Sequence, residues 1–257
     1  MNELRSSVKK TFALLEYFTH QKPEWGVTEL ALACQSNKST VYRFLNDLQQ
    51  LGVLIKNPQS DRYSLGLKLF ELGNRVPIQT AFVDATHPIL EQIAQDITET
   101  VHIGILKSNQ VFHIDKVTSP QGLTLNNQIG SFSPAFATAL GKVLLAFLPK
   151  KDRKRFIKTL NLTEQNAFTA NTITKIKTLK KELNTIKAQG YAIDREEFEL
   201  GLICVGIPIF NQNNEVIASL SASGPASRFQ EEKVLDYVAT LKKGANLIKE
   251  KIGYYKP

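Results

Sequence analysis

The feature that most constrains the fold is an amphipathic segment that runs from about Lys38 to Leu51 and is closed by Gly52. At about 100° per residue, one side of a helix over this segment is apolar. That side carries Val41, Phe44, Leu45 and Leu48. Glycine suits the left-handed position that follows a helix. The segment therefore predicts a helix that buries one face, exposes a polar one and ends at Leu51.

Two shorter helical patterns precede this segment, and a hairpin pattern follows it. Apolar residues recur at helical spacing over residues 7–19, and Thr28 is placed to cap a second short helix. After Gly52, two β-rich stretches, residues 53–56 and 62–65, flank a turn-rich stretch. The order helix, helix, turn, helix, hairpin predicts a winged helix-turn-helix, whose third helix enters the major groove of DNA.

The polar face of the third helix has the chemistry of a DNA-reading surface. Arginine pairs with guanine, asparagine pairs with adenine, and hydroxyls at a helix start seat a phosphate. The predicted DNA-binding residues are Lys38, Ser39, Thr40, Tyr42, Arg43, Asn46 and, on the hairpin, Arg62. The alternative is a solvated amphipathic face, which an isolated helix would favour. The neighbouring turn and hairpin favour the DNA-binding interpretation.

The charge of the chain also favours a polyanionic partner. The formal net charge is +8 and the isoelectric point is near 9.3. Residues 1–75 hold ten Lys and Arg against seven Asp and Glu, which gives +3. The remainder therefore holds +5, and the basic excess is not concentrated in the predicted DNA-binding part.

Length and composition predict two domains in a reducing compartment. A helical stretch over residues 67–75 leads to Val76-Pro77, where proline favours a boundary. We therefore expect a DNA-binding domain with a linker helix at 1–76 and a second domain at 77–257. Cys34 and Cys204 lie in different predicted domains, which argues against a disulfide framework. No signal-type or membrane-spanning apolar run occurs, and we expect a cytoplasmic protein.

The second domain mixes helices with strands that read as hairpins rather than βαβ units. Predicted strands cover residues 101–107, 111–116, 123–127, 203–210 and 216–223. Predicted helices cover residues 80–98, 135–147, 151–160, 175–189 and 230–251. The fold class is therefore α+β, with helices packed on a mainly antiparallel sheet.

Several short motifs, in order, carry a resemblance to one family. They are residues 38–45, Leu51-Gly52, 62–66, 137–142, 171–174, 190–192, 201–204 and 221–225. With this set the chain resembles the IclR family of winged-helix regulators over nearly its whole length. The motif Asp194-Arg195-Glu196-Glu197 and the ending Gly253-Tyr254-Tyr255 look like the branch that regulates sugar-acid catabolism, including the pectin-degradation repressor.

The resemblance implies a homodimer or tetramer on a palindromic operator and a GAF- or profilin-like effector domain that binds a small organic acid. It carries the effector role onto Asp194, Cys204, Ser221 and Ser223, with Leu125, Ala139 and Leu140 as walls. Phe136 departs from the family, because relatives commonly place His or Tyr there. A repressor of a catabolic operon is the expected function.

Residue chemistry agrees with a pocket for such an acid. Ser219, Ser221 and Ser223 share one face of a strand, and a helix start near residues 135–138 can donate N–H groups to a carboxylate. The alternative is that these small residues only pack. An enzyme is a second alternative, since residues 194–197 pair acids, although no nucleophile elbow or phosphate loop accompanies them. DNA binding without ligand control is a third.

No cofactor and no metal are predicted. The histidines lie scattered, without the spacing of metal ligands. They are His20, His87, His102 and His113. The sequence favours hydrogen-bonded surface or core positions for them.

Overall fold

A computed structural model describes residues 7–19, 21–121 and 128–253 of the chain. The chain divides into two compact units, Met1–Gln79 and Thr80–Pro257. The boundary expected after Val76 lies three residues before this division. A long helix begins at Pro77 and crosses it.

The first unit, called the DNA unit below, consists of three helices, a two-stranded hairpin and a fourth helix. They are α1 (Ser7–Leu15), α2 (Val27–Ala33), α3 (Lys38–Gln50), β1 (Leu54–Lys56), β2 (Tyr63–Leu65) and α4 (Leu67–Gly73). The two strands pair antiparallel, with Ile55 opposite Ser64. The order is that of a winged helix-turn-helix. Its core includes the fully buried Leu30, Leu45 and Tyr63.

Local interactions explain where these helices begin and end. Gly52 has a φ of +71°, the left-handed conformation predicted for the residue that follows α3. The cap predicted at Thr28 is wrong, because Gly26 occupies the N-cap position of α2. Its N–H donates to the Glu29 carboxylate at 3.4 Å. Helix α1 ends at Leu15, four residues before the predicted end at Thr19. It closes in a tighter turn, in which the N–H groups of Tyr17 and Phe18 donate to the carbonyls three residues before them.

The second unit, called the effector unit below, holds the remaining elements. The helices are α5 (Pro77–Ile97), α6 (Ala139–Phe147), α7 (Lys150–Thr159), α8 (Ile176–Gln189) and α9 (Glu231–Ile252). The strands are β3 (Thr100–Lys107), β4 (Gln110–Val117), β5 (Phe132–Pro134), β6 (Ala192–Arg195), β7 (Leu202–Phe210) and β8 (Val216–Pro225). A single 3₁₀ turn, Glu164–Asn166, lies between α7 and α8 among the described residues.

The six described strands form one sheet in the order β5-β4-β3-β8-β7-β6, and every pairing is antiparallel. The predicted antiparallel sheet is confirmed. The short strands β5 and β6 were not predicted, because three or four residues carry too little alternation to be seen. The strand predicted over residues 123–127 lies outside the described residues.

Helices cover both faces of the sheet. Apolar residues of α5 and α9 pack on the face that includes Val101, Val205 and Leu220. Helices α6 and α8 share a second apolar cluster with Val111 and Ala192 on the other face. Because side chains alternate along a strand, the even-numbered residues of β7 and the odd-numbered residues of β8 point toward α6. This second face holds the site.

Candidate nucleic-acid interface and effector site

Helix α3 buries Val41, Phe44, Leu45 and Leu48, as the apolar pattern predicted. The residues of its polar side that are predicted to bind DNA are called the DNA-reading face below. They are Lys38, Ser39, Thr40, Tyr42, Arg43 and Asn46. Lys38, Ser39, Tyr42 and Arg43 are exposed, and Thr40 and Asn46 are half-buried. Within the described residues, neither Lys38 nor Arg43 forms an ion pair with an acid. Both cations are therefore available to an anionic partner.

An open groove of about 790 Å³ lies between the start of α3, the start of α2 and the hairpin. Lys38, Ser39, Tyr42 and Arg62 all line it. Arg62, however, is held within the DNA unit. Its guanidinium donates to the Glu29 carboxylate at 2.8 Å and to the Glu24 carbonyl at 3.0 Å. Arg62 therefore ties the hairpin to α2, a contact that sequence reasoning missed.

The effector cavity, named for the predicted effector residues in its lining, is a small, partly open space of about 20 Å³ between α6 and the sheet. It is lined by His102, His113, Thr138, Ala139, Leu140, Asp194, Phe198, Leu202, Cys204, Ser221 and Ser223. Six of the seven residues predicted to bind the effector meet here. The seventh, Leu125, lies outside the described residues.

The register of the sheet explains this convergence. Ser223 pairs with Thr100 on one side and Cys204 on the other, and Ser221 pairs with His102 and Gly206. Asp194 pairs in turn with Cys204. Residues directly opposite in an antiparallel sheet point to the same face. Polar side chains from β3, β6, β7 and β8 therefore share one patch of the sheet.

Helix α6 closes the patch. It begins at Ala139 rather than at the predicted Ala135, because Thr138 is the N-cap and accepts a hydrogen bond from the Gly141 N–H at 3.3 Å. A Cβ on Gly206 would lie 2.9 Å from the Ala139 carbonyl oxygen. Only glycine allows this approach of helix to strand. The first turn of α6 consequently borders the cavity, while the hydroxyl of Ser219 donates to the Leu140 carbonyl at 3.1 Å beneath it.

His102 and His113 are buried in the cavity wall with incomplete hydrogen bonding, contrary to the expectation of satisfied positions. Both ring nitrogens of His102 and Nδ1 of His113 lack a hydrogen-bond partner among the described residues. Nε2 of His113 lies 3.0 Å from the Ser133 hydroxyl. Burial holds the pKa of His102 well below its usual range and lowers that of His113 to about 4. At neutral pH both rings are uncharged, and each offers one donor and one acceptor nitrogen.

Asp194 is 2% exposed, and burial raises its pKa to about 7. One of its carboxylate oxygens accepts a hydrogen bond from the Glu197 N–H at 2.7 Å. The Glu197 carboxylate in turn bonds the ammonium of Lys142, which is 0% exposed. Lys142 also donates to the Ile193 carbonyl at 2.7 Å and to Glu182 at 3.2 Å. This buried network fixes the segment that carries Asp194.

Cys204 adds a thiol to the lining of the cavity. Burial raises the pKa of the Cys204 thiol, so that it stays protonated and is a poor nucleophile. Within the described ranges, no group of three His, Cys, Asp or Glu side chains is placed to hold a metal ion. None of the helices that the structure describes is long and apolar enough to cross a membrane.

Two family models match the chain. The IclR helix-turn-helix domain matches residues 7–58, and the bacterial transcriptional regulator IclR C-terminal domain matches residues 78–250. The HTH-type transcriptional regulator KdgR of Escherichia coli is 38% identical over 250 residues, which are 97% of this chain and 94% of that protein.

Solved structures agree with these matches. The crystal structure of the Thermotoga maritima IclR superposes with a TM-score of 0.78 at 35% identity, and the match covers 96% of this chain and 99% of that one. An IclR homolog from Microbacterium hydrocarbonoxydans, complexed with 4-hydroxybenzoate, superposes with a TM-score of 0.84 at 21% identity. That match covers 96% of this chain and 98% of the homolog, and at this identity it shows the fold alone.

Proposed function

The chain belongs to the IclR family of bacterial transcriptional regulators, and from this premise we propose that it binds operator DNA through the DNA-reading face and senses a small organic acid in the effector cavity. The observation that carries the proposal is the convergence of buried, hydrogen-bonding side chains on one small cavity of the effector unit. Binding of the acid changes the affinity for the operator. The resemblance to regulators of sugar-acid catabolism favours a repressor of a catabolic operon.

On the DNA side, we propose a symmetric dimer or tetramer on a palindromic site. Arg43 and Asn46 are the base-reading residues, since arginine and asparagine make specific pairs with guanine and adenine. Lys38, Ser39 and Thr40 at the start of α3 hold phosphates. Two-fold symmetry in the protein matches the palindrome.

On the effector side, the ligand is a carboxylate that also carries a hydroxyl or keto group. The hydroxyls of Ser221 and Ser223 and the first-turn N–H groups of α6 donate to anionic oxygens. The two neutral imidazoles each add a donor and an acceptor. An ionised Asp194 would repel a bare carboxylate but accept from a ligand hydroxyl, whereas a protonated Asp194 would itself donate.

The small volume of the cavity supplies the means of control. A space of about 20 Å³ admits about one water molecule, so an acid enters only if the lining moves. The lining includes the first turn of α6 and Phe198. Ligand binding therefore favours an expanded form of the effector unit, and a ligand changes an equilibrium only through such a difference in affinity between two states.

A thermal-shift screen of the full chain tests this function. The panel pairs each hydroxy or keto acid with the plain acid of equal length. A hydroxylated or keto acid at a hundredfold excess over its Kd should stabilise the folded protein by about 2.7 kcal/mol and raise Tm by about 5–10 °C. The Ser221→Ala/Ser223→Ala variant is the matched control and should respond weakly.

Three results would contradict the proposal. If no acid raises Tm, DNA binding without ligand control is favoured. If the double variant responds as strongly as the wild type, the serines only pack and the ligand binds elsewhere. Turnover of an acid that binds would favour an enzyme.

A further inference from the structure

The basic excess of the chain lies in one segment of the effector unit, residues 150–190. This segment holds eleven Lys and Arg against three Asp and Glu, which gives +8. The formal net charge of the whole chain is also +8, so all other residues together sum to zero. Helices α7 and α8 carry most of these cations.

Helices α7 and α8 enclose a groove of about 440 Å³, called the basic groove below. Its cations are Lys150, Arg153, Lys154, Lys158 and Lys180, arranged around the apolar Ile157. Lys150, Lys154 and Lys158 follow one another at intervals of four residues. They therefore lie on one face of α7 and rise about 6 Å from each to the next along the helix axis.

Among the described residues, one of these five cations contributes a hydrogen bond to the fold: Arg153 donates to the Ala146 carbonyl at 3.3 Å. In the parts of the chain that the structure describes, none of the five forms an ion pair with an acid. Glu182, one of the three acids of the segment, is directed inward to the buried Lys142. Like charges four residues apart on a helix repel each other and destabilise it. The two helices pack through apolar residues such as the buried Phe156 and Leu183, which do not need these charges. Repulsion between the cations therefore destabilises the helices without improving their packing.

We propose that the basic groove binds the phosphate backbone of duplex DNA without sequence preference, at a place other than the bases read by α3. Lys150, Lys154 and Lys158 form a row about 12 Å long instead of converging on one point, which suits a polymer with a phosphate every 3.4 Å along each strand. Four of the five are lysines, which act as point charges on phosphates and have no planar fork for reading base edges. This inference goes beyond the proposed function, because it assigns a second DNA contact to the effector unit.

The test uses the full chain, a random-sequence duplex of about 60 base pairs and titrations at several salt concentrations. The groove variant is Lys150→Gln/Lys154→Gln/Lys158→Gln/Lys180→Gln. The control Lys233→Gln/Lys242→Gln/Lys243→Gln/Lys251→Gln removes four exposed cations of α9 and changes the net charge equally. Melting curves of both variants verify that they are folded.

The groove variant should lose at least tenfold in affinity at 100 mM salt. Its log–log salt slope should fall by about three to four, since each phosphate contact contributes about 0.9. The control should lose less than twofold. Equal losses in both variants would show a dependence on net charge alone and would overturn the proposal, as would wild-type affinity in the groove variant.

Two further measurements separate this inference from its alternatives. The first measurement is the binding of tripolyphosphate. Suppose that the wild type binds it and the groove variant does not, but that the groove variant binds DNA as tightly as the control variant. The ligand of the basic groove is then a small anion, and the proposal is wrong. The second measurement repeats the comparison in an Arg43→Ala background. There the groove substitutions should reduce the affinity for the random-sequence duplex by the same factor as in the wild type. That loss would therefore persist even if α3 does not read bases.

Discussion

The DNA-reading face and the effector cavity contain similar polar side chains, but the face exposes them to water and the cavity buries them. Ser39 and Arg43 are exposed on α3, whereas Ser221 and Lys142 are 2% and 0% exposed in the effector unit. An exposed polar group keeps its water until a partner arrives and contributes little to folding. A buried polar group must find its partners in the fold, because leaving one unsatisfied costs about 1–3 kcal/mol.

Because of this difference in burial, substitutions in the two regions should have different effects. Single substitutions on the exposed face should therefore have little effect on stability. The cavity is part of the core of its unit, so that changes there alter stability and ligand affinity together.

The largest expected effect is that of Lys142→Met. It leaves Glu197 and Glu182 without their buried cation, and removal of one partner of a buried ion pair costs about 3–5 kcal/mol. Urea unfolding followed by circular dichroism measures the loss. The exposed Lys151→Met is the control and should change the free energy of unfolding by no more than about 0.5 kcal/mol. Equal stabilities of the two variants would mean that the buried network does not support the fold.

Trp25, the one tryptophan of the chain, lies in the DNA unit and offers a second readout for Lys142→Met. Its fluorescence should report the unfolding of that unit, whereas the dichroism signal sums both units and comes mainly from the larger effector unit. We expect its transition to move less than the dichroism transition. A Trp25 transition that moves as far would show that the two units unfold as one.

Arg43→Ala should cause the next largest effect, on DNA rather than on stability. Loss of a base-reading arginine costs about 1–3 kcal/mol of affinity, or about 5- to 150-fold, for the preferred duplex. That duplex is obtained by selection from a random pool. Lys38→Ala is the matched exposed variant and should weaken all sequences alike, with a salt slope lower by about one. Wild-type affinity of Arg43→Ala at fixed salt would exclude Arg43 from base reading.

The pH dependence of effector binding gives a smaller effect of about tenfold. With a pKa of about 7, Asp194 is mostly neutral below that pH and anionic above it. Affinity for a carboxylate should therefore fall as pH rises through about 7, by up to about tenfold between pH 6 and 8. Asp194→Asn keeps a neutral side chain and should flatten the profile in calorimetry from pH 6 to 8.5. An unchanged slope in that variant would show that another group titrates.

The same raised pKa has a consequence for folding. The folded effector unit binds the Asp194 proton more tightly than the unfolded chain, whose aspartates titrate near 4. Asp194 therefore contributes its full stabilisation of the fold below about pH 4, and this contribution is lost as the pH rises toward about 7. Asp194→Asn should remove this part of the pH dependence.

Arg62→Ala should have the smallest effect on stability. Its pair with Glu29 is formed between side chains that are 38% and 39% exposed, and exposed pairs contribute about 0–1 kcal/mol. Thermal unfolding of the wild type and the variant measures this difference. A loss above about 2 kcal/mol would show that the hairpin depends on Arg62, in contrast to the rest of the exposed face.

The same contrast explains what the sequence could predict. The face of α3 follows from helical periodicity within fourteen residues, so Val41, Leu45 and the end at Gly52 could be found directly. The antiparallel sheet followed from the hairpin pattern. The cap of α2 could not be found in this way, because Glu29 compensates for a glycine at the N-cap.

The effector cavity depends on contacts between strands far apart in the chain. Ser221 and Asp194 were predicted through the family resemblance, but His102 and His113 were not, since their spacing carries no signal. The two rings meet, 5.5 Å apart, only because β3 and β4 pair with an irregular register between Ile103 and Gly104. Lys142 gave one faint signal, a single charge in the otherwise apolar α6.

The most direct test of the account measures the affinity of the full chain for its selected duplex with and without a saturating acid from the thermal-shift screen. Fluorescence anisotropy at fixed salt and pH gives both values. We predict that the acid changes the DNA affinity of the wild type by about 5- to 150-fold, the usual range of coupling between two sites. At the same concentration it should leave that of Ser221→Ala/Ser223→Ala nearly unchanged. An acid that saturates the wild type without altering its affinity for DNA would contradict the account.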